Sequence, residues 1–278
     1  MTENLSARSF GRVLVALGDH SAGAAGGVVD LAIDLAQALK LEVAVLFVEE
    51  EQLFDLVRLP IGAAVQPGAR EAVARPDELL IEEILARQAR LCRLALARRA
   101  READLHCSFE IRRGDPLELV QTIAGPGDLV ILSSTMAGVT TRSSFAAALQ
   151  ATTGAAAVIV MAPQQRQRRG AIAVIDQGGL AAGFAELAAQ LAASLREELS
   201  VLPLHAEASG MAYSELFHGG ASLAAVKAAL RVLRPRLVVC PLAGSAAEED
   251  PRRLSSLVRA AQAPLLMLRH HIDLLDTA

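Results

Sequence analysis

The sequence predicts an α/β protein built as two tandem, open, five-stranded parallel sheets, the second smaller, and three observations carry that expectation. The first is a repeat. Val13-Leu14-Val15-Ala16-Leu17, a Gly/Asp/Ser turn and a helix-like run from Val28 to Leu39 are echoed by Ile172-Ala173-Val174-Ile175, a turn at Asp176-Gln177-Gly178-Gly179 and a helix-like run from Phe184 to Leu195. The copies also end alike, since Asp128-Leu129-Val130-Ile131-Leu132, a loop, a helix and Ala157-Val158-Ile159-Val160-Met161 are matched by Leu237-Val238-Val239-Cys240, a loop, a helix and Pro264-Leu265-Leu266-Met267-Leu268. Repetition on this scale means two similar units. The second observation is that short continuous apolar runs alternate with helical periodicity, the pattern of βαβ units whose sheet is covered on both faces. The third is length. The 278 residues suit about two domains, which the repeat places at 1–163 and 170–278, with 164–169 as linker.

The elements follow in order. After the first strand and helix, Glu42-Val43-Ala44-Val45-Leu46-Phe47-Val48 reads as a second strand. Glu49-Glu50-Glu51 reads as a solvated loop, and the stretch holding Pro60, Gly62, Pro67 and Gly68 is too broken for one regular element. Pro76-Asp77-Glu78 then starts a long helix, where Pro and acidic residues suit the first turn. Ile81, Ile84, Leu85, Cys92 and Ala95 share one face of it, while Arg87, Arg90, Arg93, Arg98 and Arg99 lie mainly elsewhere. With Glu82, Glu83 and Glu102 interspersed, that arginine series reads as a solvated face and not a phosphate-binding surface. A strand at Ser108-Phe109-Glu110-Ile111-Arg112 leads to Gly114-Asp115-Pro116, where Asp115 is a natural N-cap and Pro116 a natural first helical residue. That helix should reach about Ala124, because Gly125-Pro126-Gly127 stops it before the next strand. The second copy is leaner, passing from Leu199-Ser200-Val201-Leu202-Pro203-Leu204 directly to Tyr213-Ser214-Glu215-Leu216-Phe217.

Composition narrows the function classes. Hydrophobic residues make up 53% of the chain and aromatics 3%, so Ala, Val, Leu and Ile must build the core. A net charge of -4 gives no electrostatic case for nucleic acid or anionic membrane, and the basic linker carries no aromatic residue to stack a base. No segment reaches about 18 uninterrupted apolar residues, and Met1 to Gly11 lacks the apolar core of a signal peptide. Cys92, Cys107 and Cys240 are odd in number, far apart and without a CxxC pair, which argues for a reducing cytoplasm. Cys92 and Cys240 read as core residues.

Together these residues resemble the universal stress protein family, and within it the tandem-domain members. The resemblance rests on Val13-Leu14-Val15-Ala16-Leu17, Leu46-Phe47-Val48-Glu49 and Arg113-Gly114-Asp115-Pro116 followed by Asp128-Leu129-Val130-Ile131-Leu132, and it covers nearly the whole chain. It implies Rossmann-like sheets of the adenine nucleotide alpha hydrolase type, in a family where many members bind ATP and others act as regulatory or protective proteins. It also places the last strand of each copy at a sheet edge. Pairing Val158–Met161 with Leu265–Leu268 would cover both edges and join the copies as an intramolecular pseudo-dimer.

The nucleotide motifs of that family are eroded here. ATP-binding members carry an acidic residue after strand one and a Gly-x2-Gly-x9-Gly-Ser/Thr loop after strand four, because glycines let backbone N–H groups approach phosphates at a helix N-terminus. In the first copy the acidic position is Gly18, with Asp19 one residue late. Its loop from Ser133 to Phe145 has Gly138 as its one glycine. What remains phosphate-compatible is a hydroxyl-rich helix start, Thr140, Thr141, Ser143 and Ser144, with Arg142 as its cation. The candidate ligand surface is thus Gly18, Asp19, Val48, Ser133, Gly138, Arg142, Ser143 and Ser144. The second copy has Asp176 in the acidic position and Gly244 in its loop, but Glu248-Glu249-Asp250 would repel a triphosphate.

Other combinations carry less. His205, His218, His270 and His271 lack the i, i+4 spacing or Cys partners of a metal site, and Asp19-His20-Ser21, being consecutive, cannot take up triad geometry. The reading is therefore a non-enzymatic, cytoplasmic, regulatory or interaction module with an unidentified protein partner. The alternative is an adenine-nucleotide sensor that uses the first copy for ATP or ADP, with slow hydrolysis left open. A homodimer is also open at this level, with no patch to assign it to.

Overall fold

The computed structural model describes residues 10–18, 25–58, 78–133, 142–161, 169–176, 182–204, 222–242 and 251–269. Their elements run β1 (Arg12–Gly18), α1 (Ala25–Leu39), β2 (Glu42–Glu50), α2 (Glu51–Arg58), α3 (Glu78–Ala103), β3 (Cys107–Gly114), α4 (Pro116–Ile123), β4 (Asp128–Ser133), α5 (Arg142–Ala151) and β5 (Ala157–Met161) in the first half. The second half continues with β6 (Ile172–Asp176), α6 (Ala182–Leu195), β7 (Leu199–Pro203), α7 (Leu223–Leu233), β8 (Leu237–Leu242), α8 (Pro251–Ala261) and β9 (Leu265–Arg269).

The α/β class is as the sequence predicts. Where the sequence suggests two five-stranded sheets, however, the described strands form one sheet of nine, in the order β3-β2-β1-β4-β5-β9-β8-β6-β7. The last strands of the two halves meet edge to edge. β5 and β9 pair antiparallel, with Val158 opposite Met267 and Ile159 opposite Leu266, and every other neighbouring pair is parallel. Read inward from its outer rim, the second half gives β7-β6-β8-β9, matching β2-β1-β4-β5 of the first. Because the junction is antiparallel, the carboxyl ends of the first-half strands and those of the second half lie on opposite rims of the sheet. The segment Tyr213–Phe217 lies outside the described residues.

Side-chain alternation along each strand splits the interior into two layers. On one face Val13, Val15, Leu17, Val43, Val45 and Phe47 pack with α1, α3 and α6, and the same layer continues across the junction through Ile159 and Leu266 to Ile172 and Val174. On the other, Leu14, Ala16, Leu46, Val48 and Val130 pack with α4, α5, α7 and α8, and the layer continues through Val158 and Met267 to Ala173 and Ile175. The middle strands are accordingly apolar at nearly every position, whereas edge strand β7 alternates between exposed and half-buried residues.

Local signals explain the element boundaries. The Asp115 side chain accepts from the backbone N–H groups of Leu117 at 2.8 Å and Glu118 at 3.0 Å, and Pro116 opens α4 as expected. Arg12 and Asp128 face each other across β1 and β4, and the guanidinium donates to both carboxylate oxygens at 2.8 and 2.9 Å. Two expectations need correction. Glu49 and Glu50 are not loop residues but the end of β2, which runs two residues past Val48, and Glu51 opens helix α2 where the sequence suggested irregular chain. The reason is a local cluster. Arg113 on β3 pairs with Glu49 at 3.3 Å and Glu82 at 3.2 Å, and its guanidinium lies 4.0 Å from the ring centre of buried Phe54 on α2. The second correction concerns α3. Its buried stripe is Leu85, Ala89, Cys92, Leu96 and Ala100, while Ile84, expected in the core, is 46% exposed.

The entry to the second half is tightly built. Gly170 donates its N–H to Glu197 at 3.1 Å, and a Cβ placed on it would stand 2.7 Å from the Arg234 carbonyl oxygen. That neighbour is backbone and cannot swing away. Gly170→Ala should therefore destabilise the chain by about 1–3 kcal/mol, seen as a lower urea midpoint at unchanged slope. An unchanged midpoint would show that the backbone there yields freely.

Candidate functional site

In an open parallel sheet the ligand crevice forms where strand order reverses, outside the carboxyl ends of the strands. Here that point in the first half lies between β1 and β4. The chain leaves β1 through α1 on one face and leaves β4 through α5 on the other, so the two connections part company. The β1–β4 ladder runs from Arg12 opposite Asp128 to Ala16 opposite Leu132, and Leu17, Gly18 and Ser133 extend beyond it. The N-termini of α1 and α5 flank the opening, because a helix that returns a chain to the start of the next parallel strand begins at the carboxyl end of the previous one. Neither helix has an acidic residue in its first turn to offset the positive end of its dipole.

The second half repeats the arrangement between β6 and β8, flanked by α6 and α8. Its ladder stops at Val174 opposite Val239, before Pro241, which has no N–H to extend it.

The sequence candidates distribute unevenly over this geometry. Gly18 ends β1, Ser133 ends β4, and Arg142, Ser143 and Ser144 are the first three residues of α5. Those positions share the carboxyl end of one switch point. Val48 sits opposite Gly18 in the register, but its side chain is fully buried in the α4/α5 layer, so it supports the crevice from within the core. Asp19, Gly138 and Gly244 lie outside the described residues, as do Thr140, Thr141, the Glu248–Asp250 run and the four histidines His205, His218, His270 and His271. Asp176 ends β6 and is the topological counterpart of Gly18. Its backbone carbonyl accepts from Leu204 N–H at 2.6 Å. The antiparallel junction puts Asp176 on the opposite rim from Gly18, so one acidic residue cannot serve the other crevice. Among the described residues no group of three or more His, Cys, Asp or Glu side chains is arranged to hold a metal, and no helix is long and apolar enough to cross a membrane.

A cavity of about 370 Å³ lies elsewhere, lined by Asp34, Gln37, Ala38, Ser194, Leu195 and Arg236. It sits where the C-terminal halves of α1 and α6 meet, at the other ends of these helices from the crevices. Arg236 donates to Asp34 at 2.6 Å and to Glu197 at 3.1 Å, with all three side chains less than 15% exposed. Gln190 adds a hydrogen bond to the Ala38 carbonyl at 3.3 Å. The site therefore fastens the halves together on the α1/α6 face. Its one cation is shared between two carboxylates, and the buried Arg236 Nε has no hydrogen-bond partner among the described residues. Burial pushes the Asp34 carboxyl above its ordinary range, and the attraction of Arg236 opposes that shift without cancelling it. Sequence reasoning missed this contact because 202 residues separate its partners, and no local pattern marks a charge for a distant mate.

The chain matches no protein-family model and no curated protein sequence. Among solved structures it is similar to PA1789, a functionally unknown protein from Pseudomonas aeruginosa PAO1, with 12% identity, a TM-score of 0.53 and coverage of 95% of this chain and 94% of that one. At that identity the likeness is one of fold.

The Arg236 contact yields an asymmetric expectation. Arg236→Met leaves two carboxylates facing each other without their cation and should cost about 3 kcal/mol. Asp34→Asn should cost less than about 1 kcal/mol, because Arg236 keeps Glu197 and burial already opposes the Asp34 charge. A folded-state carboxyl held above its unfolded value stabilises the fold when protonated. Its contribution is present at low pH and is lost as pH rises through the folded value. Urea denaturation across pH should thus show the wild type losing stability relative to Asp34→Asn on the rise, and equal losses for the two variants at neutral pH would refute the asymmetry.

Proposed function

We propose that the chain is a non-enzymatic regulatory or interaction module resembling the universal stress proteins, with its nucleotide sites in decay. One observation carries the reading: the two switch-point crevices are topologically equivalent, yet Gly18 stands in one where Asp176 stands in the other. A nucleotide crevice of this type needs its acidic residue and its glycine-rich phosphate loop in the same place. Here the acidic residue stays with the loop that carries three carboxylates, and the helix start that suits an anion stays with the crevice whose strand ends in glycine.

A second reading, a nucleotide-responsive sensor using the first half only, is favoured by a separate observation. Helix α5 opens with Arg142-Ser143-Ser144 and has no acid in its first turn, so its N-terminus favours phosphate. Under either reading the work belongs to the cytoplasm, with an unidentified protein partner and without nucleic acid.

Calorimetric titration with ATP separates the two. The first reading expects a dissociation constant above about 100 μM, at most about 5.5 kcal/mol of binding free energy, and no formation of ADP on long incubation. Low-micromolar binding would overturn it in favour of the sensor. Whatever anion binding is found should vanish in Arg142→Glu with the thermal midpoint unchanged. Survival of binding in that variant, with loss on replacing Asp176, would move the site to the second half.

A further inference from the structure

The cavity between the ends of α1 and α6 draws its wall from both halves. Asp34, Gln37 and Ala38 share one face of α1, while Ser194 and Leu195 close α6 and Arg236 stands just before β8. Its cation is there because the two halves differ at one rung. In the first half, the rung before Val13 and Leu129 holds the Arg12–Asp128 pair. In the second, the rung before Ile172 and Leu237 holds Ala171 and Arg236, joined only through the backbone. Arg236 has no carboxylate across its ladder and reaches out to Asp34 of α1 and to Glu197 instead.

What the wall leaves uncommitted is hydrogen-bonding capacity, not charge. Arg236 donates through Nη1 to Glu197 and the Leu195 carbonyl and through Nη2 to Asp34. A guanidinium has five N–H donors, so the buried Nε–H and one N–H of Nη2 remain without an acceptor among the described residues. Gln37 gives its Nε2 to the Ala103 carbonyl and keeps its amide oxygen, and the exposed Ser194 hydroxyl has no partner among the described residues. An anion here would meet Asp34, Glu197 and the carbonyl ends of two helices that carry no basic residue in their last turns. A cation would meet Arg236, with Lys40 and Arg196 directly after the two helices. A hydroxyl both donates and accepts, so it answers the guanidinium, the Gln37 oxygen and Ser194 without adding charge. At about 370 Å³ the cavity is at the small end of ligand clefts, which run from roughly 300 to 1,000 Å³. We infer that it binds a small, uncharged, polyhydroxylated molecule of monosaccharide size, whose C–H face lies against Ala38 and Leu195. Such an occupant bridges the two halves and is independent of both crevices, which lie at the other ends of α1 and α6.

The test titrates D-glucose and myo-inositol into the isotope-labelled full chain and follows its amide resonances. At least one probe should give saturable shifts at the Gln37 side-chain amide and at the Ser194 and Arg236 backbone amides, with a dissociation constant of about 1–5 mM. Acetate and ethylammonium, one an anion and one a cation, should bind at least about tenfold more weakly. Ser194→Leu removes the hydroxyl and Gln37→Leu removes the amide oxygen. Each should weaken binding about tenfold or more, with the thermal midpoint unchanged because both positions are exposed. No saturable shift up to about 50 mM of either probe, the result if the cavity holds only water, overturns the inference. Acetate or ethylammonium binding as tightly as the polyols overturns it too, since the site would then read charge. So does polyol binding that survives both substitutions, or shifts centred on the crevices instead.

Discussion

The antiparallel contact between β5 and β9 is the constraint on which the rest of the molecule depends, because neither strand can exist as a free edge. All five residues of β5 are buried, and so are the first four of β9. Over the paired stretch, Ala157–Val160 with Leu265–Leu268, neither strand offers the charges, bulges or prolines that protect exposed edges from pairing with other chains. Separating them would return Val158, Ile159, Val160, Leu265, Leu266 and Met267 to water at about 1.5–3 kcal/mol for each large side chain. It would also cut both hydrophobic layers, since each runs unbroken from one half into the other. The outer strands β3 and β7, by contrast, are exposed at many positions and tolerate being edges.

That junction also decides what the helices can do. Those that cross it are α1 against α6 on one face, held by Arg236, Asp34 and Glu197, and α5 against α8 on the other. Their opposite ends flank the crevices. Helices α1 and α6 thus fasten the halves at their C-terminal ends, while their N-terminal ends border the crevices.

Much of this was legible in the sequence, for physical reasons that can be named. Asp115 and Pro116 announce a helix start because capping is local, and the buried strands announce themselves because a sheet covered on both faces must be apolar at every position. The helix ends at Lys40, Asp104, Arg196, Arg234 and Gln262 were harder, since each adopts the left-handed conformation usually given to glycine. Periodicity misassigned α3 because two apolar stripes share it, and spacing alone cannot say which one meets the sheet. The end of β2 was hidden for a different reason, as Glu49 and Glu50 are strand through their pairing with Arg113 and Gly114 of β3, 64 residues away. At the crevices the strand ends Gly18, Ser133 and Asp176 were readable as places. Their allotment to opposite rims depends on the direction of one strand pair, which no local signal encodes.

Opposed rims have a consequence for traffic through the molecule. Two crevices that open in the same direction could grip one extended ligand or one flat partner. These open away from each other, so whatever enters one has its back to whatever enters the other. A difference in charge between the two crevices, such as Gly18 in one and Asp176 in the other, is therefore not felt as a clash across a shared opening.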